Sequence, residues 1–234
     1  DGSIIIYGNE SLTSLEGLNN LTTINGRLNI GDSYAWYELG NPRLTNLSGL
    51  DMLDTIIGSL TLTSNDSLLS LSGLNELNYL GGNLRIANNP SLLSCSGIEL
   101  LTTINGHITL ENNKSLKNLN GFNNLQRIEG NLAIGGCYQY WLYSVCQGNP
   151  SLIDLTGLNE LTSIGGNLEI SANDSLISLN GLNNLKNIGG YLKIGASISD
   201  SISNYCGNYF LMDLFELNNL DTIGKSLYII NNKH

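Results

Sequence analysis

A period of 24 residues constrains this chain more than any other feature in it. Written as a template, the unit is N-x-x-L-x-x-L-x-G-L-x-x-L-x-x-I-x-G-x-L-x-I plus two linking residues. It starts at Asn9, Asn41, Asn65, Asn89, Asn113, Asn149, Asn173 and Asn208, with a ninth start at Asn232. One such unit cannot bury its own apolar residues, so it must stack on its neighbours, and the result is a solenoid with one continuous core. Residues 1–234 therefore read as a single β-helix repeat domain. Its first residues, DGSIII, match the G-x-L-x-I end of a unit, so the chain is expected to be a fragment of a longer one.

Within each unit the last apolar pair alternates with a polar residue, as in Leu84-Arg85-Ile86, which is the pattern of a strand with one buried face. The other apolar residues are spaced by threes. Leu68, Leu71, Leu74, Leu77 and Leu80 drift around an α-helix rather than lining one face, and Gly73 and Gly82 disfavour a helix further. Short strands, tight turns and two bends per coil are predicted, giving an all-β solenoid of about eight coils. Stacking would align the repeat asparagines, from Asn9 to Asn208, into a structural ladder whose amides satisfy backbone groups at the turn. A template leucine such as Leu132 is then expected inside. Arg85 points outward, where truncation costs under about 0.5 kcal/mol.

Charge excludes some partners. Twenty acidic residues against ten basic ones leave a net charge of −10, which disfavours nucleic acid and anionic membrane surfaces. No apolar run approaches the roughly 18 residues of a membrane span, and Pro42, Pro90 and Pro150 each follow a repeat asparagine and mark turns. Of four cysteines, Cys95 replaces a template leucine and reads as a buried apolar thiol. Cys137, Cys146 and Cys206 lie in insertions, where three pairings are open. Cys137 and Cys146 share one insertion, and a disulfide between them is expected, which places the chain in an oxidising compartment.

The run I-G-G-N-L-x-I-x-x-N-x-S-L-x-x-L-x-G-L-x-x-L, found at residues 164–185, resembles the receptor L domain. That family comprises the ligand-binding β-helices of growth-factor receptor ectodomains and is common in microbial surface proteins. The resemblance covers nearly the whole chain. It implies a right-handed, flattened β-helix with about one strand per side, and recognition outside the cell. Leucine-rich repeats are similar too, through L-x-I-x-x-N, but the step from Leu80 to Leu84 is four residues where that repeat has three. In the last unit Glu216 and Lys225 stand where glycines recur elsewhere, so that coil is expected to be a partial cap.

Three insertions interrupt the period, at 31–40, 135–148 and 195–207, all between the strand and the repeat asparagine. Coils about 4.8 Å apart put the first and second roughly 19 Å apart and the second and third roughly 10 Å apart, along one edge. Both tryptophans, Trp36 and Trp141, lie in them, with Tyr34, Tyr37, Tyr138, Tyr140, Tyr143 and Tyr205; Tyr209 follows closely. Aromatic residues on loops over a rigid scaffold make a binding face for a protein or glycan, unless the rings fold down to seal the core edge. No catalytic constellation stands out. His107 reads as an outward strand residue and His234 is terminal. The outward row Thr61, Arg85, Thr109, Ala133, Glu169 and Lys193 shows no carboxylate column, and Asp32, Glu38 and Asp200 make a poor glycosidase pair or calcium site. The expected function is a secreted or cell-surface, non-catalytic recognition or adhesion module with no cofactor and no metal. The alternative is a segment of a surface stalk or filament that self-associates end to end.

Overall fold

A computed structural model describes residues 2–31, 39–140, 143–196 and 206–232, with 137–140 and 143–145 as backbone alone. It is an all-β solenoid. Nine parallel strands form one long sheet in chain order: Ile4–Ile6, Leu28–Ile30, Leu60–Thr63, Leu84–Ala87, Ile108–Glu111, Leu132–Ile134, Leu168–Ile170, Leu192–Gly195 and Leu227–Ile230. Equivalent template positions sit opposite one another, so Leu60, Leu84, Ile108 and Leu132 make one inward ladder. A row of two-residue strands, such as Tyr79–Leu80 and Thr103–Ile104, runs along a second side.

The spacing by threes has a direct cause in the backbone. In the coil that starts at Asn65, the N–H of Leu68 donates to the carbonyl of Asn65, Leu74 to Leu71 and Leu77 to Leu74, each closing a turn across three residues. Between these turns, the Leu71 N–H donates to Ser96 of the next coil. Each coil thus bends more often than the two bends expected, with the template leucines Leu68, Leu71, Leu74 and Leu77 spaced by these turns and all buried. Gly73 has a φ of +110°, which L-residues with a Cβ rarely adopt. Gly82 does not; there a Cβ would sit 2.8 Å from the backbone of Gly58 in the preceding coil.

All template apolar positions from Leu44 to Ile194 are buried, Cys95 among them, and form one core. Burial pushes the Cys95 thiol up to about 12, helped by the charge of Glu99, so it stays protonated and unreactive. The last coil departs from the expected cap. Leu227 and Ile229, which face inward elsewhere, are about half exposed, and Met212 and Phe215 are more so. Without a glycine at Glu216 the turn there tightens into a 3-10 segment, Phe215–Leu217.

Candidate functional site at the insertion edge

One ladder of side chains holds the coils in register beneath the insertions. Each repeat asparagine uses its amide twice: Asn89 Nδ2 donates to the carbonyls of Leu62 and Ala87, both at 3.0 Å, and its Oδ1 accepts the Asn65 N–H. The pattern runs from Asn9 to Asn232, and the asparagines from Asn41 to Asn208 are fully buried. A second column was not read from the sequence. Asn19, Asp51, Asn75, Glu99, Asn123, Asn159 and Asn183 each accept the N–H of the glycine two residues before them, as with Asn75 and Gly73 at 3.0 Å. Its signal was the Asn, Asp or Glu that recurs two positions after the first glycine of the unit.

In coils without an insertion two residues link the strand to the asparagine, and the second takes a left-handed φ, as Asn88 does at 56°. The insertions replace this linker. Their glycine ends have a steric reason: a Cβ at Gly40 would lie 1.3 Å from the carbonyl oxygen of Ser64, and one at Gly148 1.4 Å from that of Ala172. Each insertion therefore enters and leaves hard against the next coil. Hydrogen bonds stitch the feet down, from Gly8 N–H to Gly40, Asn112 N–H to Gln147 and Ala172 N–H to Cys206.

The second insertion is a β-hairpin, Cys137–Tyr140 paired with Tyr143–Cys146. Its cysteine does not bond as expected. The disulfide joins Cys146 to Cys206, 60 residues on, with Cα atoms 5.5 Å apart, in place of the expected Cys137–Cys146 bond. The geometry explains it. Gly148, two residues after Cys146, presses on the Ala172 carbonyl, while Cys206 accepts the Ala172 N–H, so the feet of two insertions meet over one residue of the coil between them. Cys206 is buried there with Ala172 and Ala196.

Two clefts open beside the insertion feet, at equivalent template positions. One, of about 280 Å³, is lined by Gly8, Glu10, Leu39, Gly40, Pro42, Ser64 and Asp66. The other, of about 210 Å³, is lined by Asn112, Lys114, Cys146, Gly148, Pro150, Ala172 and Asp174. Each has a proline as its middle coil's contribution and an aspartate from the coil after it. Desolvation raises the Asp174 carboxyl above the ordinary carboxylate range. The sequence signal for these clefts was Asn-Pro after an insertion followed one unit later by Asn-Asp-Ser, at Asn41 and Asn65 and again at Asn149 and Asn173.

Of the aromatic residues expected to bind, Tyr34, Trp36, Tyr37, Trp141 and Tyr205 lie outside the described residues, as do Asp32, Glu38 and Asp200. Tyr138, Tyr140 and Tyr143 are placed by backbone on the hairpin strands. Tyr209 is half-buried and belongs to the coil, directly after Asn208. His107 also moves from its expected place. It precedes the strand Ile108–Glu111 and joins a third column, donating its N–H to Asn83 Oδ1 and accepting the Asn131 N–H on Nδ1 at 2.8 Å. The outward row is mixed: Lys193 lies 4.0 Å from Glu169, which also accepts a hydrogen bond from the Tyr191 phenol. No helix among the described residues is long and apolar enough to cross a membrane.

No curated protein and no solved structure matches the chain. Residues 1–76 match the family model of the Receptor L domain. That stretch holds the first strand, two coils, the first insertion with its glycine feet and the start of the third coil, so the match supports the receptor L domain family on the part of the chain where the 24-residue unit first appears.

Proposed function

We propose that this chain is a recognition module that works outside the cell and binds a protein or glycan ligand along the insertion edge, without catalysis. The match to the Receptor L domain supports a ligand-binding module. The observation that carries the placement is the meeting of two insertion feet over Ala172, held by the Cys146–Cys206 disulfide. A bond between loops 60 residues apart restricts them relative to each other, which lowers the ordering cost of binding. It also accords with an oxidising, extracytoplasmic compartment. In this proposal Trp36 and Trp141, with Tyr34, Tyr37, Tyr138, Tyr140, Tyr143 and Tyr205, supply contact area, and the clefts beside Pro42 and Pro150 supply polar groups for hydroxyls or amides.

A glycan array and a pull-down of surface proteins with the whole chain would supply the ligand. Trp36→Ala and Trp141→Ala should then each weaken binding by about 1–3 kcal/mol while leaving the melting temperature unchanged. A lowered melting temperature with unchanged affinity in both variants would show that the rings seal the core edge, and would overturn the proposal.

A further inference from the structure

The hairpin of the second insertion places a second cysteine within reach of the bonded one. Cys137 stands directly opposite Cys146 in the register of the two strands. The adjoining pair, Gly136 and Gln147, is joined by the bond from the Gln147 N–H to the Gly136 carbonyl at 2.8 Å. Hydrogen-bonded and non-hydrogen-bonded pairs alternate along an antiparallel ladder, so Cys137 and Cys146 form a non-hydrogen-bonded pair. At such a pair the Cα atoms are about 4.5 Å apart, inside the range a disulfide spans. Cys146 is also 5.5 Å from Cys206, Cα to Cα. The backbones of two cysteines therefore stand within a disulfide's span of Cys146. Cys95 cannot join them, because it is a free thiol sealed in the core.

We propose that the insertion edge carries a thiol–disulfide switch, in which the Cys146–Cys206 bond of the structure exchanges with a Cys137–Cys146 bond inside the hairpin. The step conserves atoms and electrons. The Cys137 thiolate attacks Cys146 Sγ, a bond forms between these two sulfurs, and the Cys146–Cys206 bond breaks with its electron pair leaving on Cys206 Sγ. Cys206 takes up from water the proton that Cys137 gave to it, so no oxidant or reductant is consumed. In one state the second and third insertions are stapled together across the coil of Ala172. In the other the hairpin is closed on itself and the bond between the two insertions is gone. The two states thus present different edges to a ligand with the same coil beneath.

The test needs no ligand. The whole chain is equilibrated in a glutathione buffer, quenched with acid, alkylated and mapped by peptide mass. Two isomers are expected in the one-disulfide fraction, Cys146–Cys206 and Cys137–Cys146, in a ratio that does not change when the ratio of oxidised to reduced glutathione is varied, because the exchange is redox-neutral. Cys137→Ser should leave Cys146–Cys206 alone, and Cys206→Ser should yield the Cys137–Cys146 bond. Recovery of wild-type protein solely as Cys146–Cys206 at equilibrium would overturn the switch whatever the variants give, and so would an isomer ratio that follows the buffer. Should Cys206→Ser fail to fold, the wild-type map decides by itself.

Discussion

The guanidinium of Arg85 reaches from one coil to the next and pairs with the carboxylate of Glu111, a side chain that is 1% exposed. Arg85 sits on the outward row, yet its partner lies at the end of the next strand, under the second insertion. Arg85→Ala should therefore cost about 1–3 kcal/mol, since it removes a charged partner of a buried carboxylate, instead of the roughly 0.5 kcal/mol of an ordinary outward position. Leu132→Ala, a cavity in the inward ladder, should cost about 2–5 kcal/mol. Denaturant midpoints of both variants, and of Arg85→Ala combined with Glu111→Gln, check this; an Arg85→Ala midpoint equal to wild type would show that the pair contributes nothing.

The asparagine ladder should weaken from the middle, not from its end. Asn89→Ala removes the amide that bonds the Leu62 and Ala87 carbonyls and accepts the Asn65 N–H in a fully buried place, the Ala87 carbonyl keeping the Ser64 N–H, and should cost about 2–4 kcal/mol. Asn9 is exposed, so Asn9→Ala should cost under about 1 kcal/mol. Equal losses in urea titrations of the two variants would contradict the buried role of the ladder.

Tyr191 makes the fold sensitive to alkali. Desolvation, then the hydrogen bond to Glu169 and its charge, push the phenol from its ordinary value of 10.0 up to about 12. A folded value above the unfolded one means that the folded state holds its proton longer, so this contribution is fully present below pH 10 and is lost as pH rises through about 12. Tyr191→Phe should remove that part of the alkaline loss, and Glu169→Gln should bring the phenol back down. Ultraviolet difference titration of the folded protein reads both; a Tyr191 phenol that titrates with the exposed tyrosines would refute the coupling.

Gly148 should accept no side chain. A Cβ there would overlap the Ala172 carbonyl at 1.4 Å, so Gly148→Ala must lift the foot of the second insertion and should cost at least about 1–3 kcal/mol. Gly8→Ala meets nothing within 4 Å, although its φ of +69° brings some backbone strain. A smaller loss of melting temperature at Gly148 than at Gly8 would overturn the close contact.

Much of the fold was legible because a repeat states the same physics many times. The strand at Leu84–Ala87, the burial of Leu68 through Leu80 and the exits of the insertions at Gly31, Gly135 and Gly195 all follow from periodicity and from where glycine must stand. The turn column at Asn19 through Asn183 was legible too but went unread, since Asp51 and Glu99 interrupt its asparagines. The candidate site was less so. Cys137 is the nearer neighbour of Cys146 in sequence, and nothing local says that Cys206 stands beside the same coil. His107 looked like a strand residue, but its place one step before the strand made it a link in a polar column.

The sequence by itself determined the coil, its core and the edge from which the insertions leave, because those depend on contacts that recur every 24 residues along the chain. The tertiary structure alone decided which insertions meet, that Cys146 bonds to Cys206 and that Arg85 finds the buried Glu111. The physical reason is distance: stacking brings residues 60 positions apart to within a disulfide's span, and such pairings depend on the rise between coils and the reach of individual side chains, which no local pattern encodes.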